Sequence, residues 1–236
     1  VRRGLSPSRE QAQDAIVAGR VLVAGAPATK PARLVAPAES IAMIGPGPRF
    51  VSRGGEKLDA ALEHFAIDVE GGRALDAGAS TGGFTDCLLQ RGAREVVAVD
   101  VGYGQLHERL RTDPRVVVRE RTNIRTLDAE GIEGPVDIVV ADLSFISLRT
   151  VAAALLACAA PGADLVLLVK PQFEAGREEA ARGKGVIRDP EIHARVLGEV
   201  ASALEVLGAA IMGSVQSPLT GADGNVELLL HAVAPG

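Results

Sequence analysis

Between residues 74 and 233, short and nearly unbroken apolar runs alternate with segments whose apolar positions recur every three or four residues. Ala74-Leu75, Glu95–Asp100 (EVVAVD), Val116–Val118, Val136–Asp142 (VDIVVAD), Asp164–Lys170 (DLVLLVK), Ala209–Gln216 and Val226–Val233 read as strands. Continuous Val/Leu/Ile runs of this kind fit strands buried on both faces, as parallel strands are. Ser52–His64, with Leu58, Ala61, Leu62 and Phe65 on one side, reads as a helix, as do Leu148–Ala159 and Pro190–Leu207. The alternation predicts an α/β domain with a doubly wound, mostly parallel seven-stranded sheet, closed by a hairpin of the last two strands.

The first fifty residues follow another pattern. Ser8 can cap a helix carrying Ala12, Ala15 and Ile16, with Gly19 as its stop. Val21–Val23, turn residues Gly25 to Pro27, and an extended stretch near Arg33–Val35 then predict a small α+β module. Gly45-Pro46-Gly47-Pro48 reads as a linker. The expected organisation is therefore a module over 1–44, a linker over 45–51 and the α/β domain over 52–236.

Charge sharpens this division. Residues 1–50 hold seven Lys/Arg (Arg2, Arg3, Arg9, Arg20, Lys30, Arg33, Arg49) against Glu10, Asp14 and Glu39, a balance of +4. The whole chain carries −5, which leaves −9 for the rest. A basic binding module on an acidic body is the reading, although the total alone would argue against a nucleic-acid partner. The core must be aliphatic, since only 3% of residues are aromatic and Trp is absent. No apolar run approaches the ~20 residues of a membrane span, so no stable membrane association is expected. The N-terminal arginines precede no apolar stretch of the signal-peptide kind. Val1 is not a start methionine, and a few residues are expected to be missing before it. Cys87 and Cys158 lack metal-ligand spacing; buried thiols, no metal and a cytoplasmic location are expected.

Candidate chemistry centres on Ala74–Asp86, ALDAGASTGGFTD. A strand ending near Asp76, a turn with Gly78, Gly82 and Gly83, and a periodic segment from Phe84 form a strand–turn–helix unit. Glycines let backbone N–H groups approach a ligand where a Cβ would block it. The spacing D-x-G-x-x-x-G-G misses both the dinucleotide fingerprint and the Walker pattern. Asp100, at the end of the next strand, can accept hydrogen bonds from ribose hydroxyls. With the pyrophosphate turn missing, the pair favours S-adenosylmethionine (SAM). The alternative is an ordinary strand–helix turn.

Two resemblances extend the reading. R3-G-L-S-P-S-R-E-Q-A, I16-V-A-G-R-V-L-V-A-G and K30-P-A resemble the RNA-binding domain first seen in ribosomal protein S-four. Arg2, Arg3, Ser8, Arg9, Arg20 and Lys30, with Arg53 beyond the linker, become candidate RNA contacts, where charge supplies affinity but little sequence information. Lys57 in S-R-G-G-E-K-L, Asp142 in A-D-L-S-F, Lys170 in V-K-P-Q-F-E and Glu227 in G-N-V-E resemble the Lys-Asp-Lys-Glu tetrad of FtsJ-like RNA ribose 2′-O-methyltransferases. Over nearly its whole length the chain resembles the TlyA family. That resemblance implies a Rossmann-like SAM-dependent methyltransferase fold and methylation of cytidine riboses in 16S and/or 23S ribosomal RNA. It implies SAM binding by Asp76, Gly78, Ser80, Thr81, Gly82, Gly83, Phe84, Asp100 and Asp142, and ribosomal RNA or ribosomal subunits as partner of a monomer. Pro48-Arg49-Phe50-Val51 stands where the family's actinobacterial members carry Arg-x-Trp-Val, which puts a linker role in SAM affinity in doubt.

The tetrad is chemically sensible. A ribose hydroxyl is a poor nucleophile, whereas a sulfonium methyl is already activated, so the enzyme needs alignment and a proton acceptor. An amine can act as base only well below the ordinary lysine pKa of ~10.4, and burial or a second cation pushes it down. Lys170 is the expected base, Asp142 and Glu227 hold the amines, and Lys57 supplies the second cation. Phe145 and Phe173 can stack on a base or simply pack. Glu174–Arg188 is charged and Gly-containing, and a mobile loop beside the site is expected there. Base methylation fits less well, for want of an Asn/Asp-Pro-Pro-aromatic turn or a strand-end Cys. A cytolysin or haemolysin-like membrane-active protein and a non-catalytic rRNA-binding assembly factor are the readings from other classes.

Overall fold

The computed structural model describes residues 1–6, 9–45, 47–183, 185–221 and 223–236. Ser8, expected as a helix cap and RNA contact, lies outside the described residues. The chain forms two compact units, 1–49 and 50–236.

In the first unit, α1 (Arg9–Val17) precedes β1 (Val21–Val23), β2 (Ala26–Pro27) and β3 (Ile41–Met43), arranged β2-β1-β3 with both pairings antiparallel. Ala15, Val21, Val23 and Ala28 form its small core. The expected strand near Arg33–Val35 is absent, and part of the expected turn, Ala26–Pro27, is a strand instead. The cause is a two-residue reversal at Ala24-Gly25, both at positive φ (50° and 79°), which pairs Val23 with Ala26 at once. Leu34 is 95% exposed, and only Val35 of this run packs against the small core.

The second unit opens with α2 (Gly54–His64). There follow β4 (Arg73–Ala77), α3 (Gly83–Gln90), β5 (Glu95–Val99), α4 (Glu108–Arg111), β6 (Val116–Arg119), a 3₁₀ turn (Ile124–Thr126) and β7 (Val136–Ala141). Next come α5 (Leu148–Cys158), β8 (Ala159–Val169), α6 (Pro171–Glu174), α7 (Arg177–Arg182), α8 (Pro190–Val206), β9 (Ala210–Gln216) and β10 (Leu228–Val233). The sheet order is β6-β5-β4-β7-β8-β10-β9; β4 to β8 run parallel, and only β10 pairs antiparallel with its neighbours. Alternate residues of β4 serve opposite cores. Leu75 and Ala77 pack with residues of α5 and α8, whereas Ala74 packs with residues of α2 and α3. Strand order reverses between β4 and β7, and at such a switch point the loops beyond the carboxyl ends diverge and open a crevice.

Phe50 and Val51, expected in the linker, are 2% and 6% exposed inside the second unit's core. A Cβ on Gly55 would sit 2.3 Å from the Phe50 ring, so that glycine makes room for the aromatic. The Glu174–Arg188 stretch also departs from expectation. Glu174 closes α6, α7 lies within the stretch, and both Glu174 and Ile187 are buried.

Candidate active site

A cavity of about 430 Å³ opens at the carboxyl ends of β4, β5 and β7. Gly78, Ser80, Asp100 and Asp142 line it, as expected of cofactor-binding residues. Asp76, Thr81, Gly82, Gly83 and Phe84, expected beside them, do not line it. Gly82 sits at φ 96° and a Cβ there would meet Leu110 at 2.2 Å, while a Cβ on Gly83 would meet Ser52 Oγ at 2.3 Å. These glycines serve the packing of the turn against its protein neighbours. Phe84 is core. Gly78, at φ 85°, is the close approach that matters to the cavity, since its Cβ would fall 2.6 Å from the Asp142 carbonyl oxygen.

Asp76 lies behind the turn, fully buried. Its Oδ2 accepts from Thr85 N (2.8 Å) and Thr85 Oγ1 (2.6 Å), and its Oδ1 has no partner. Burial pushes its carboxyl up to about 7; the Thr85 bonds oppose the shift, and Asp142 and Asp100 add to it. Asp100 is differently placed. Its Oδ2 accepts from Ser80 N (2.8 Å) and its Oδ1 from Gly102 N (2.6 Å), which fixes the carboxylate at the cavity wall. Each oxygen has a further lone pair for a hydroxyl donor. Val101, Ile124 and Leu143 supply apolar wall, and Gln105, Asn123 and Ser144 add polar groups. Donors and acceptors beside an apolar slot of this volume suit a nucleoside-sized ligand.

The tetrad forms two lysine–carboxylate pairs. Lys57 Nζ donates to Glu227 Oε2 at 2.5 Å, with side chains 10% and 3% exposed. Lys170 forms an ion pair with Asp142 Oδ1 and donates to Ser144 Oγ at 3.2 Å. Neither lysine is a solvated surface charge. Register explains how the ends of β7, β8 and β10 bring Asp142, Lys170 and Glu227 to neighbouring positions. Val169 of β8 pairs with Leu228 of β10, so Lys170 leaves the sheet beside the point where Glu227 enters it. Asp142 follows β7, which pairs with β8 on its other side.

The description "FtsJ-like methyltransferase" matches residues 50–233, and "S4 domain" matches residues 1–41. The chain belongs to the FtsJ-like methyltransferase family. It is 56% identical over 231 residues to the 16S/23S rRNA (cytidine-2′-O)-methyltransferase TlyA of Mycobacterium tuberculosis, covering 98% of this chain and 86% of that one. It is 40% identical over 231 residues to a Brachyspira hyodysenteriae protein named Hemolysin A, covering 98% and 95% of the two chains. A solved Streptococcus thermophilus structure, also carrying a hemolysin name, superposes with TM-score 0.81 at 41% identity, covering 99% and 86%. The N-methyltransferase NodS of Bradyrhizobium japonicum, solved with S-adenosyl-L-homocysteine, gives TM-score 0.56 at 16% identity over 78% and 89%, a likeness of fold. The seven-stranded methyltransferase sheet and the S4 domain in front of it agree with the architecture read from the sequence.

Within this FtsJ-like unit two aromatics stand by the Lys170 pair. Phe145 is 92% exposed at φ 64°, a left-handed conformation that costs a bulky residue energy. Its ring lies 5.1 Å from that of Phe173, whose centroid is 6.0 Å from Lys170 Nζ. Among the expected RNA contacts of the S4 unit, Arg2, Arg9 and Lys30 are exposed and Arg20 is half-buried. Arg3 is engaged otherwise. Its guanidinium donates to the carbonyls of Glu39 (2.5 Å), Ala36 (3.1 Å) and Pro37 (3.0 Å), holding the 36–39 turn. Arg53, half-buried, starts α2.

Sequence reading missed Ser144, Gln105, Asn123 and Ile124 in the cavity wall. Their signal was positional, since each lies just beyond the carboxyl end of β5, β6 or β7. Cys158 is inert, its thiol pushed up to about 11 by burial, and Cys87 is likewise buried outside any disulfide. Among the described residues no group of three His, Cys, Asp or Glu could hold a metal ion, and no helix is long and apolar enough to cross a membrane.

Proposed function

We propose that this chain transfers a methyl group from SAM to the ribose 2′-OH of cytidine in ribosomal RNA, acting in the cytoplasm on ribosomal subunits or their RNA. The observation that carries the reading is the two lysine–carboxylate contacts, Lys57–Glu227 buried and Lys170–Asp142 half-buried, the second sharing Asp142 with a nucleoside-sized cavity. The 56% identity to a cytidine-2′-O-methyltransferase supports the choice of substrate.

The cavity residues fit the cofactor. Asp100 would accept from ribose hydroxyls, Val101, Ile124 and Leu143 would hold a flat ring, and Gly78 keeps the backbone close to the cavity. Bound there, SAM supplies an electrophilic methyl. The chain's own residues do the rest. Lys170 gives one ammonium proton to solvent and then, as a neutral amine, takes the 2′-OH proton, with Asp142 and Ser144 fixing its direction. Lys57, held by Glu227, places a second positive charge beside the ribose. Phe145 offers an exposed face on which a splayed-out cytosine can stack, since a ribose inside an A-form stem is hard to reach in line.

Incubation of purified subunits with methyl-labelled SAM, followed by nucleoside digestion, tests the assignment. Label on the cytidine ribose supports it; label on a base, or none, overturns it. Lys170→Ala is expected to lower transfer at least about 100-fold, the lower end of the range for a lost general base. Calorimetric SAM affinity should stay within about threefold of wild type, a difference under 1 kcal/mol. Retained turnover would remove Lys170 from the base role.

A further inference from the structure

The Lys170–Asp142 pair joins two segments, the loop running from β7 to α5 and the short helix α6, which Lys170 alone separates from β8. The β7–α5 loop is irregular backbone and α6 is a single turn, and an ion pair at their near end alone would not fix where an amine points. A second connection lies at the far end. Glu174, four residues past Lys170, is 4% exposed. Its Oε2 accepts from Ser147 Oγ at 2.5 Å, its Oε1 accepts from Leu148 N at 2.7 Å, and Arg149 Nε lies 3.5 Å from Oε2. The Glu174 carbonyl accepts from Arg149 Nη2 at 2.9 Å. The rings of Phe145 and Phe173 meet between the two connections.

The β7–α5 loop and α6 therefore close a ring with three rungs, an ion pair, an aromatic contact and a carboxylate seated on the start of α5. A buried carboxylate is costly to desolvate, so it persists only where hydrogen bonds and a positive field offset the cost. The free N–H groups and dipole at the start of α5 supply both. Ser147 already caps that helix, its Oγ accepting from Arg149 N at 3.2 Å, so α5 is not left uncapped without the glutamate. What Glu174 adds is the tie between α6 and the β7–α5 loop.

We propose that Glu174 is a positioning residue for methyl transfer, holding α6 in register with the β7–α5 loop so that the Lys170 amine stays between Asp142 and Ser144. This rests on the proposed function, because it assumes that Lys170 acts on the substrate hydroxyl. Glu174 touches neither the cavity nor the Lys170 amine; it acts through α6 and the β7–α5 loop.

The test compares Glu174→Ala, Glu174→Gln and, as a destabilised control, Val200→Ala in the α8 core, all in the full chain. Glu174→Ala should lower kcat roughly ten- to hundredfold, the scale of a small misplacement of a reacting group. The Michaelis constants for SAM and RNA should change less than kcat. Glu174→Gln keeps an oxygen for Leu148 N and should restore kcat to within about threefold of wild type, a difference under 1 kcal/mol. Val200→Ala, tested well below its Tm, should keep wild-type kcat. A second readout does not depend on turnover. Trace acetylation with acetic anhydride, followed by peptide mass spectrometry, should show the Lys170 amine reacting faster in Glu174→Ala than in wild type or in Glu174→Gln. Wild-type kcat and unchanged Lys170 labelling in Glu174→Ala would overturn the proposal. So would a Gln variant as impaired as the Ala variant in both readouts. If wild-type protein transfers no methyl to ribose, the functional reading fails, and the labelling result still decides whether Glu174 fixes Lys170.

Discussion

Asp76 keeps a carboxylate where water cannot reach it and gives only one of its oxygens partners. The carboxyl is held up to about 7 in the folded protein, above its ordinary value near 3.8. The sign follows directly. Its contribution to stability is fully present below about pH 4 and is lost as pH rises through 7, because the folded state must then carry the buried charge. The loss amounts to about 4 kcal/mol at most. Asp113 and Glu120 are shifted down by Arg115 and Arg111 and change stability in the opposite direction, so the total is not the observable. The difference between wild type and Asp76→Asn is. Denaturant titrations from pH 5 to 8 should show wild type losing ground to the variant as pH rises; a constant difference would sink the argument. The Lys57–Glu227 pair yields a second residue-scale prediction. Lys57→Met strands a buried carboxylate and should cost about 3–5 kcal/mol. Lys57→Met with Glu227→Gln should recover most of that stability without restoring transfer, which separates the pair's fold cost from its role in the reaction.

Among elements, the turns between strands and helices decide the site's shape, and Gly78 is the close approach that bears on the cavity. It holds φ 85° with the Asp142 carbonyl against its α-carbon. Gly78→Ala would impose a conformation that side chains resist and push the β7–α5 loop outward. A loss of about 2 kcal/mol or more in stability is expected, together with at least tenfold weaker SAM binding by calorimetry. Wild-type affinity would show that the loop yields freely. The same scale explains what could be read beforehand. EVVAVD, VDIVVAD and DLVLLVK are strands because a central parallel strand is apolar on both faces, and that composition is local. Ile41–Met43 was hidden because a three-residue strand carries almost no periodicity, and its place depends on pairing with Val21–Val23, which is remote in sequence. Glu174 and Ile187 looked like loop because their partners are remote in sequence. Leu148 N satisfies the first, and Asn225 Oδ1 accepts from the Ile187 N–H at 2.9 Å. The tetrad was legible by resemblance alone, since Lys57 and Glu227 are 170 residues apart and only the β8–β10 register brings Glu227 beside Lys170.

For the whole molecule, the division of charge assigns the electrostatic part of RNA binding. The first unit carries +4 and the remainder −9, so attraction to a phosphate backbone should come chiefly from the S4 residues. Within that unit the arginines are not equivalent. Arg3 donates to three carbonyls of the 36–39 turn, and Arg3→Ala should cost the unit stability. Arg2, Arg9 and Lys30 are exposed and suited to phosphates. Each phosphate contact removed should flatten the dependence of log affinity on log salt by about 0.7–0.9. The triple variant Arg2→Ala, Arg9→Ala, Lys30→Ala should therefore lose about 2–3 from that slope, measured by fluorescence anisotropy on a ribosomal RNA fragment across 50–200 mM KCl. Calorimetric SAM affinity should be unchanged, because the cavity is lined wholly by residues of the second unit. At saturating RNA, kcat should also hold, since the contacts removed set position on the RNA and not the chemistry at the ribose. An unaltered slope would mean that the phosphate contacts lie elsewhere, and a fall in kcat at saturation would mean that the S4 residues also orient the target nucleotide.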